Sequence, residues 1–316
     1  MPENGQSQHP PRVVTVVLNW HGRDDTLECL RALAMVSYRP HSVVLLDNGC
    51  TQFSAAEITG ILPDAEYIHV DENLGFAGGA NLGMRHALAS GAAFIWFVNN
   101  DARPEPDALT ELVAVAQREP PAAIVGAKIL QLQNPRRLDS IALDVDLRSG
   151  RLYLKGHNEL DEGQYDDVGE VSAVTACAML VSRAACERLD GFDAQFFAYL
   201  EDADLCLRAR AVGFRIAAAP RARVLHNRVA ATGARQTTAS LYLTARNHLL
   251  LMQRHGEGGL TVRLMRPPIV ATLSLAYALR GAARERPARL RAVLRGLRDY
   301  RRGVRGEGSA FSDEAG

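Results

Sequence analysis

Residues 13–48, VVTVVLNWHGRDDTLECLRALAMVSYRPHSVVLLDN, decide the fold. Val13–Asn19 (VVTVVLN) is an unbroken apolar run, the pattern of a strand buried on both faces. Asp24 and Asp25 then offer an N-cap, and Leu27, Leu30 and Leu33 recur at helical spacing. Val43–Asp47 (VVLLD) reads as a second strand. Strand, helix and strand in that order predict the start of a parallel sheet.

The alternation continues outward. Glu66–Val70 is a short third strand, and a glycine-rich turn leads into a helix through Leu82, Ala87 and Leu88. Ala93–Val98 is a fourth strand, followed by a helix between Glu105 and Arg118. The class is therefore α/β, a mostly parallel central sheet flanked by helices. Ligands of such sheets bind beyond the carboxyl ends of the strands. Polar residues gather at those ends: Asn19 and Trp20, then Asp47 and Asn48, then Asn99, Asn100 and Asp101. Turn chemistry explains any one cluster. Three on one predicted edge mark a site.

The second half is less regular. Arg136–Gly169 reads as a loop or hairpin excursion, and Val171–Ser182 as a strand. Glu201–Val212 is helical with Gly213 at its end, Phe214–Ala219 and Arg223–His226 are two short strands, and Ala239–Arg254 is a helix.

Composition narrows the classes. The chain has 316 residues, 47% hydrophobic and 23% charged, ordinary globular values. Basic and acidic side chains balance at 36 each, which disfavours a dedicated nucleic-acid binder. Five cysteines with no C-x-x-C pair suggest neither a disulfide framework nor a zinc knuckle. A polar N-terminus and the lack of a long apolar run lead to the expectation of a cytoplasmic protein. The balance hides an asymmetry: residues 260–306 hold twelve arginines against Glu285 and Asp299, leaving a mildly acidic body.

Three further segments carry chemistry. The turn from Asn73 through Gly75 to Asn81 allows close backbone approach at a helix start, where phosphate is attracted, although a tight structural turn reads equally well. It lacks the dinucleotide-binding glycine pattern, and so does the turn after the first strand, which argues against an oxidoreductase. Asp101, after a strand end, suits a divalent cation bridging phosphates. Glu201, Asp202 and Asp204 open a predicted helix, a place that complements the helix dipole and also keeps a general base ionised. His226 follows the last strand as a candidate ligand.

Taken in order, VVLNWHGRDDTLECL, VVLLDNG, NLGFAGGANLGM, FVNNDARPEPDAL, TACAMLVSR, GFDAQFFAYLEDADLCLRARAVGFR, VLHNRVAATG and YLTARNHLLL resemble the family 2 glycosyltransferases of GT-A fold, in particular their rhamnosyltransferase-like branch. The resemblance covers residues 13 to about 251. It implies inverting transfer from a nucleotide-diphosphate sugar, dTDP-rhamnose favoured and a UDP- or GDP-sugar the alternative, to a glycan or lipid-linked saccharide. Asn19, Trp20, Asp47, Asn73, Gly75, Asn81, Asn99 and Asn100 would form or support the nucleotide site. Asp101 and His226 would hold Mg²⁺ or Mn²⁺, Asp202 would be the base, and Glu201 would orient the acceptor or the base. One departure stands out: the family's metal motif is usually Asp-x-Asp, and position 99 is asparagine. A non-catalytic nucleotide-sugar-binding or membrane-scaffold relative is the alternative, although Asp101 and Asp202 are both present.

The expected organisation is a flexible segment 1–12, a catalytic domain 13–255 (nucleotide-sugar half 13–130, acceptor half 131–255), a basic helical tail 256–306 and a disordered terminus 307–316. Within the tail, Pro267–Leu279 is apolar but too short to span a bilayer, and arginines follow it. That pattern suits a helix lying on an anionic membrane, at the inner face of the plasma membrane. The alternative is a helix packed on the catalytic body or on a second copy of the chain.

Overall fold

A computed structural model of the chain describes residues 9–227, 237–280 and 282–310. Its first half follows the alternation of the sequence: β1 (Val13–Asn19), α1 (Arg23–Ala34), β2 (His41–Asn48), α2 (Ala55–Ile61), β3 (Glu66–Val70), α3 (Gly75–Ala89) and β4 (Phe94–Asn99). β5 (Ala102–Pro104), α4 (Ala108–Gln117), β6 (Ile124–Gln131), β7 (Asn134–Ser140), β8 (Ala142–Asp146) and β9 (Arg151–Lys155) come next. β10 (Ala178–Ser182), α5 (Arg183–Leu189), α6 (Glu201–Ala211) and β11 (Ile216–His226) complete the sheet region. Three long helices end the chain, here α7 (Thr238–His255), α8 (Leu260–Ala278) and α9 (Arg286–Arg301).

The central sheet runs β3-β2-β1-β4-β10-β6-β11-β5, with β7 added to β6. β3, β2, β1 and β4 are parallel, as are β6 and β11, while β10, β5 and β7 run against their neighbours. Burial explains the apolar runs: Val13, Val17, Leu45, Ile95 and Trp96 have no solvent exposure. Each such side chain contributes about 1.5–3 kcal/mol, a large share of a net stability of about 5–15 kcal/mol. α3 lies close on β1 because a Cβ at Gly83 would come 2.4 Å from Val16.

Several local expectations shift. The N-cap of α1 is Gly22, and Asp24 and Asp25 stand in its first turn, where they complement the helix dipole. α2 and β5 were not foreseen, being only seven and three residues long. The excursion 136–169 contains the β8–β9 hairpin, and only Ala178–Ser182 of the apolar run 171–182 forms a strand. The two short strands expected after Gly213 are one, β11, whose register shifts between Ala219 and Arg223, around Pro220. Gly213 does stand in the left-handed region after α6, at φ +88°.

The tail is docked. Val270 and Ala278 of α8 are fully buried, and Arg266 donates to the carbonyls of Arg148, Met252 and Glu257. Ser309, inside the stretch expected to be disordered, bonds to Asp299 and to the Tyr242 hydroxyl. Residues 1–8 of the expected flexible segment and 311–316 of the terminus lie outside the described residues, as do 228–236 of the segment VLHNRVAATG. Among the described residues no helix is long and apolar enough to cross a membrane.

Candidate active site

Parallel pairing puts the polar strand ends side by side. Asn19 is in register with Asp47 on β2, and Leu18 with Asn99 on β4. Asn19 is fully buried and organises the edge from both ends of its amide. Its Nδ2 donates to Asp47 Oδ1 at 2.7 Å and to Gln52 Oε1 at 3.0 Å. Its Oδ1 accepts from the Gly22 amide, the Thr26 hydroxyl and, at 3.3 Å, Asn100 Nδ2. Asn100 also donates to Thr26 at 2.9 Å, so its side chain turns back to the start of α1.

Asp47 is fully buried too. Its Oδ1 accepts from Asn19 and Cys50, and its Oδ2 from the Gln52 amide and the Tyr67 hydroxyl. Four donors fill the carboxylate, so a nucleobase reaching it would have to displace one of them. Trp20 stands at the rim, 42% exposed, with its ring 5.3 Å from that of His21.

The glycine turn is built inward. Asn48, buried beside Asp47, donates to Asn73 Oδ1 and the Gly75 carbonyl and accepts from the Leu74 amide. Asn73 Oδ1 also accepts from the Gly75 amide. Gly75 is at φ +69°, where a Cβ would lie 2.5 Å from the Phe197 carbonyl oxygen. The Ala77 amide donates to that same oxygen at 2.9 Å. The Gly75 and Ala77 amides at the start of α3 are thus already engaged by protein acceptors. Asn81 is engaged as well, its side-chain amide pairing with both backbone groups of Phe192. Gly75 and Asn81 fasten the turn to the 192–197 loop, and Asn73 ties it to Asn48.

Asp101 and His226 meet because β5 pairs antiparallel with β11, in a register that sets Ala102 opposite His226. His226 Nε2 lies 3.3 Å from Asp101 Oδ1. That oxygen is buried and has no hydrogen bond of good geometry. The other ring nitrogen, Nδ1, is 2.8 Å from Oδ2 of Asp139, a residue of β7 that sequence reading missed. Burial works against a charged imidazole, yet Cys177, Asp101 and Asp139 hold the His226 pKa well above its ordinary value. The surroundings call for a positive charge, whether a proton or a metal ion.

The residues therefore fit a divalent cation: an orphaned carboxylate oxygen, an imidazole nitrogen facing it, and a second carboxylate behind the imidazole. Among the described residues no group of three or more His, Cys, Asp or Glu side chains is arranged to hold a metal. Asp101 and His226 would supply only two ligands, so phosphate and water would have to supply the rest.

Asp202 and Glu201 open α6 from an irregular lead-in. Phe197, Tyr199 and Leu200 have φ of 64°, 70° and 69°. The Ala198 amide donates to the Phe196 carbonyl at 2.8 Å, closing a γ-turn of the strained hand on Phe197. Each such residue costs about 1–3 kcal/mol and persists only where its surroundings impose it. Half-buried Asp202 accepts from the Ala176 amide through Oδ2 and from the Ala203 amide through Oδ1, at 3.1 and 2.7 Å. Cys177, the next residue, gives its carbonyl to the Asn99 amide at 2.9 Å. The two consecutive residues Ala176 and Cys177 thereby join the α6 carboxylates to the strand end that carries Asp101.

The two carboxylates differ in their support. Burial, then the neighbouring Asp202 charge, pushes the Glu201 pKa well up, and its Oε2 is buried without a partner. Burial also raises Asp202, but backbone amides favour its ionised form. Burial and the Asp202 charge thus favour the neutral form of Glu201, whereas Asp202 has backbone donors that favour its charged form. Asp204 is separate: burial raises its pKa, but His255 and Arg208 outweigh that and lower it. It ties α6 to α7 through His255 at 2.8 Å.

Comparison with known proteins agrees with this architecture. Solved structures with a similar fold include two GT-A glycosyltransferases: the S. aureus TarS 1–349 complex with UDP-GlcNAc (TM-score 0.58, 14% identity, 93% of this chain and 81% of that one) and the Pyrobaculum calidifontis mannosyltransferase PcManGT with GDP-Man and Mn²⁺ (TM-score 0.56, 17% identity, 94% and 84%). The family model described as glycosyltransferase like family 2 matches residues 10–249. The chain belongs to glycosyltransferase family 2.

Relatives include an N-acetylglucosaminyl-diphospho-decaprenol L-rhamnosyltransferase of Mycobacterium tuberculosis, 27% identical over 65% of this chain and 72% of that protein. The galactofuranosyltransferase GlfT1 of Mycolicibacterium smegmatis is 30% identical over 41% of this chain, a match spanning only 43% of the relative's length.

Proposed function

We propose that the protein is an inverting glycosyltransferase that moves a sugar from a nucleotide-diphosphate sugar to a hydroxyl of a glycan or lipid-linked saccharide. dTDP-rhamnose is the favoured donor, with a UDP- or GDP-sugar as the alternative. The observation that carries this reading is the Ala176–Cys177 link, which joins the anionic Asp202 to the strand end bearing Asp101.

Asp202 accepts the proton of the acceptor hydroxyl as its oxygen attacks the anomeric carbon. The bond from that carbon to the diphosphate breaks on the opposite face, and the nucleoside diphosphate leaves with the bonding pair. No covalent enzyme intermediate is needed, and one base suffices. Glu201, kept protonated, has a hydrogen to donate and orients the acceptor or the base. Asp101 and His226 would hold Mg²⁺ or Mn²⁺, which neutralises charge developing on the leaving diphosphate. Asp139 holds the His226 ring from behind. Asn19, Asp47, Asn99, Asn100 and Trp20 form the edge against which the nucleotide lies, and Asn73, Gly75 and Asn81 support it.

The acceptor is met at the inner face of the plasma membrane. With one side of α8 docked, Leu264 (66% exposed), Met265 (56%), Ile269, Leu273 and Tyr277 form an outward apolar stripe. Exposed Arg284, Arg291 and Arg298 lie nearby in the chain. Apolar side chains with guanidinium groups suit an anionic bilayer surface.

The test is a melting-temperature panel of dTDP, UDP, GDP and NAD with and without Mn²⁺, followed by product analysis with the matching sugar nucleotide. A metal-dependent shift with one nucleoside diphosphate and transfer with inverted anomeric configuration are expected. A shift with NAD alone, or binding without transfer, would overturn the catalytic reading.

A further inference from the structure

Residues 242–251, YLTARNHLLL, take no part in the reaction proposed above, yet Arg246 and Asn247 of this segment have no solvent exposure. Asn247 Nδ2 donates to the carbonyl oxygens of Phe196, Ala198 and Tyr199, all at 2.8 Å. Its Oδ1 accepts from Arg246 Nε and Nη2 at 3.0 and 2.9 Å. Arg246 in turn reaches the Phe196 carbonyl at 3.1 Å. One amide thus collects three carbonyls of the loop that leads into α6.

That loop does not hold itself. Three of its four residues 197–200 carry positive φ, and none is glycine. L-residues disfavour this conformation, so something outside the loop must impose it. Leu200, in the left-handed region, is the N-cap of α6, and its carbonyl accepts the Asp204 amide at 3.0 Å. The left-handed turn therefore sets the direction in which α6 begins, and α6 begins with Glu201 and Asp202.

We propose that Asn247 is a positioning residue for the base: by gathering the carbonyls of Phe196, Ala198 and Tyr199 it holds the left-handed turn that aims Asp202 at the reaction centre. This rests on Asp202 being the base. An aspartate at 247 has the same shape but offers carbonyls no donor, and its charge repels them.

The test uses the full chain and the sugar nucleotide that the wild type turns over among dTDP-rhamnose, UDP-GlcNAc and GDP-mannose. For Asn247→Asp, kcat should fall by roughly 100-fold, the scale of a small misplacement of a catalytic group. Affinity for the matching nucleoside diphosphate, measured by calorimetry, should stay within about twofold, because the nucleotide edge stands on β1, β2 and β4 and the turn supporting it is fastened to the backbone of Phe192 and Phe197, which Asn247 does not bond. Adding Leu200→Gly, which tolerates positive φ, should restore kcat about tenfold.

A folded Asn247→Asp with kcat within about threefold of wild type, or one that loses nucleotide affinity in parallel, overturns the inference. So does a double variant with no recovery. If Asn247→Asp does not fold, Asn247→Ser, which keeps one donor, is read by the same criteria. Asp202→Asn separates the two levels. If it keeps full kcat, the base assignment fails; if it loses kcat and Asn247→Asp does not, only the positioning role fails.

Discussion

Asp202 Oδ2 lies 3.1 Å from the amide nitrogen of Ala176, a hydrogen bond between α6 and the residue that precedes the partner of Asn99. It stabilises the carboxylate in its ionised form at the centre of the candidate site. Asp202→Asn should therefore lower kcat by about 10²–10⁴-fold, the usual contribution of a general base. Glu201→Gln, which copies the protonated state, should lower it less than about tenfold. Steady-state kinetics of both variants decide this, and the reverse order would assign the base to Glu201.

Acid pH should test the environment of Asp202. Burial raises the Asp202 pKa above its ordinary 3.8, so activity should fall on acidification at a pH above that value. A pH–rate profile whose acid limb lies at or below 3.8 would contradict the assignment.

Glu201 should also cost stability. Its folded-state pKa lies well above the ordinary 4.5, so the folded state binds this proton more tightly. Stability from that proton is full below 4.5 and is lost as pH rises through the folded pKa. Glu201→Gln should accordingly raise the melting temperature at pH 8 by a few degrees, a shift of about 2–4 °C per kcal/mol at this size, and change it little at pH 4. Equal shifts at both pH values would sink the account.

Substitutions at Asp139 and Asn99 should change metal binding in opposite directions. Asp139→Asn removes the carboxylate behind His226 and should weaken Mn²⁺ binding about 10–100-fold in the presence of nucleoside diphosphate, as read by electron paramagnetic resonance. Asn99→Asp adds a charge two residues before Asp101 and should tighten Mn²⁺ binding to the free protein, where weak binding is expected of the wild type. Tight wild-type binding in a nucleotide-free titration would count against this view.

The α8 stripe predicts flotation with vesicles rich in phosphatidylglycerol and weaker flotation with phosphatidylcholine alone. Leu264→Glu combined with Leu273→Glu should abolish it without changing nucleoside diphosphate binding. If the wild type fails to float and elutes as a dimer that these substitutions dissociate, the stripe is a contact between two copies of the chain instead.

Much of this was readable from local pattern. Continuous apolar runs mark β1, β2 and β4, and the polar residues after them fall on one edge because parallel strands share a carboxyl end. Asn19, Asp47, Asp101, Asp202 and His226 were visible for that reason, each standing at the junction of a strand or helix with a loop. Asp139 was not, because it lies 87 residues from His226, in a stretch with only weak alternation. Asn247 sits on a helix face that reads as ordinary core, and its partners lie 48 to 51 residues away.

The sequence by itself determined the strand–helix alternation that builds β1 to β4, the site edge, the candidate carboxylates and the basic tail. These are properties of neighbouring residues and of period. Only the tertiary structure decided which carboxylate lacks a hydrogen-bond partner, which side of α8 is docked, and that Asp47 and Asn81 are already engaged by protein partners. Burial and hydrogen bonding between distant segments set those outcomes, and neither is written in any local stretch of chain.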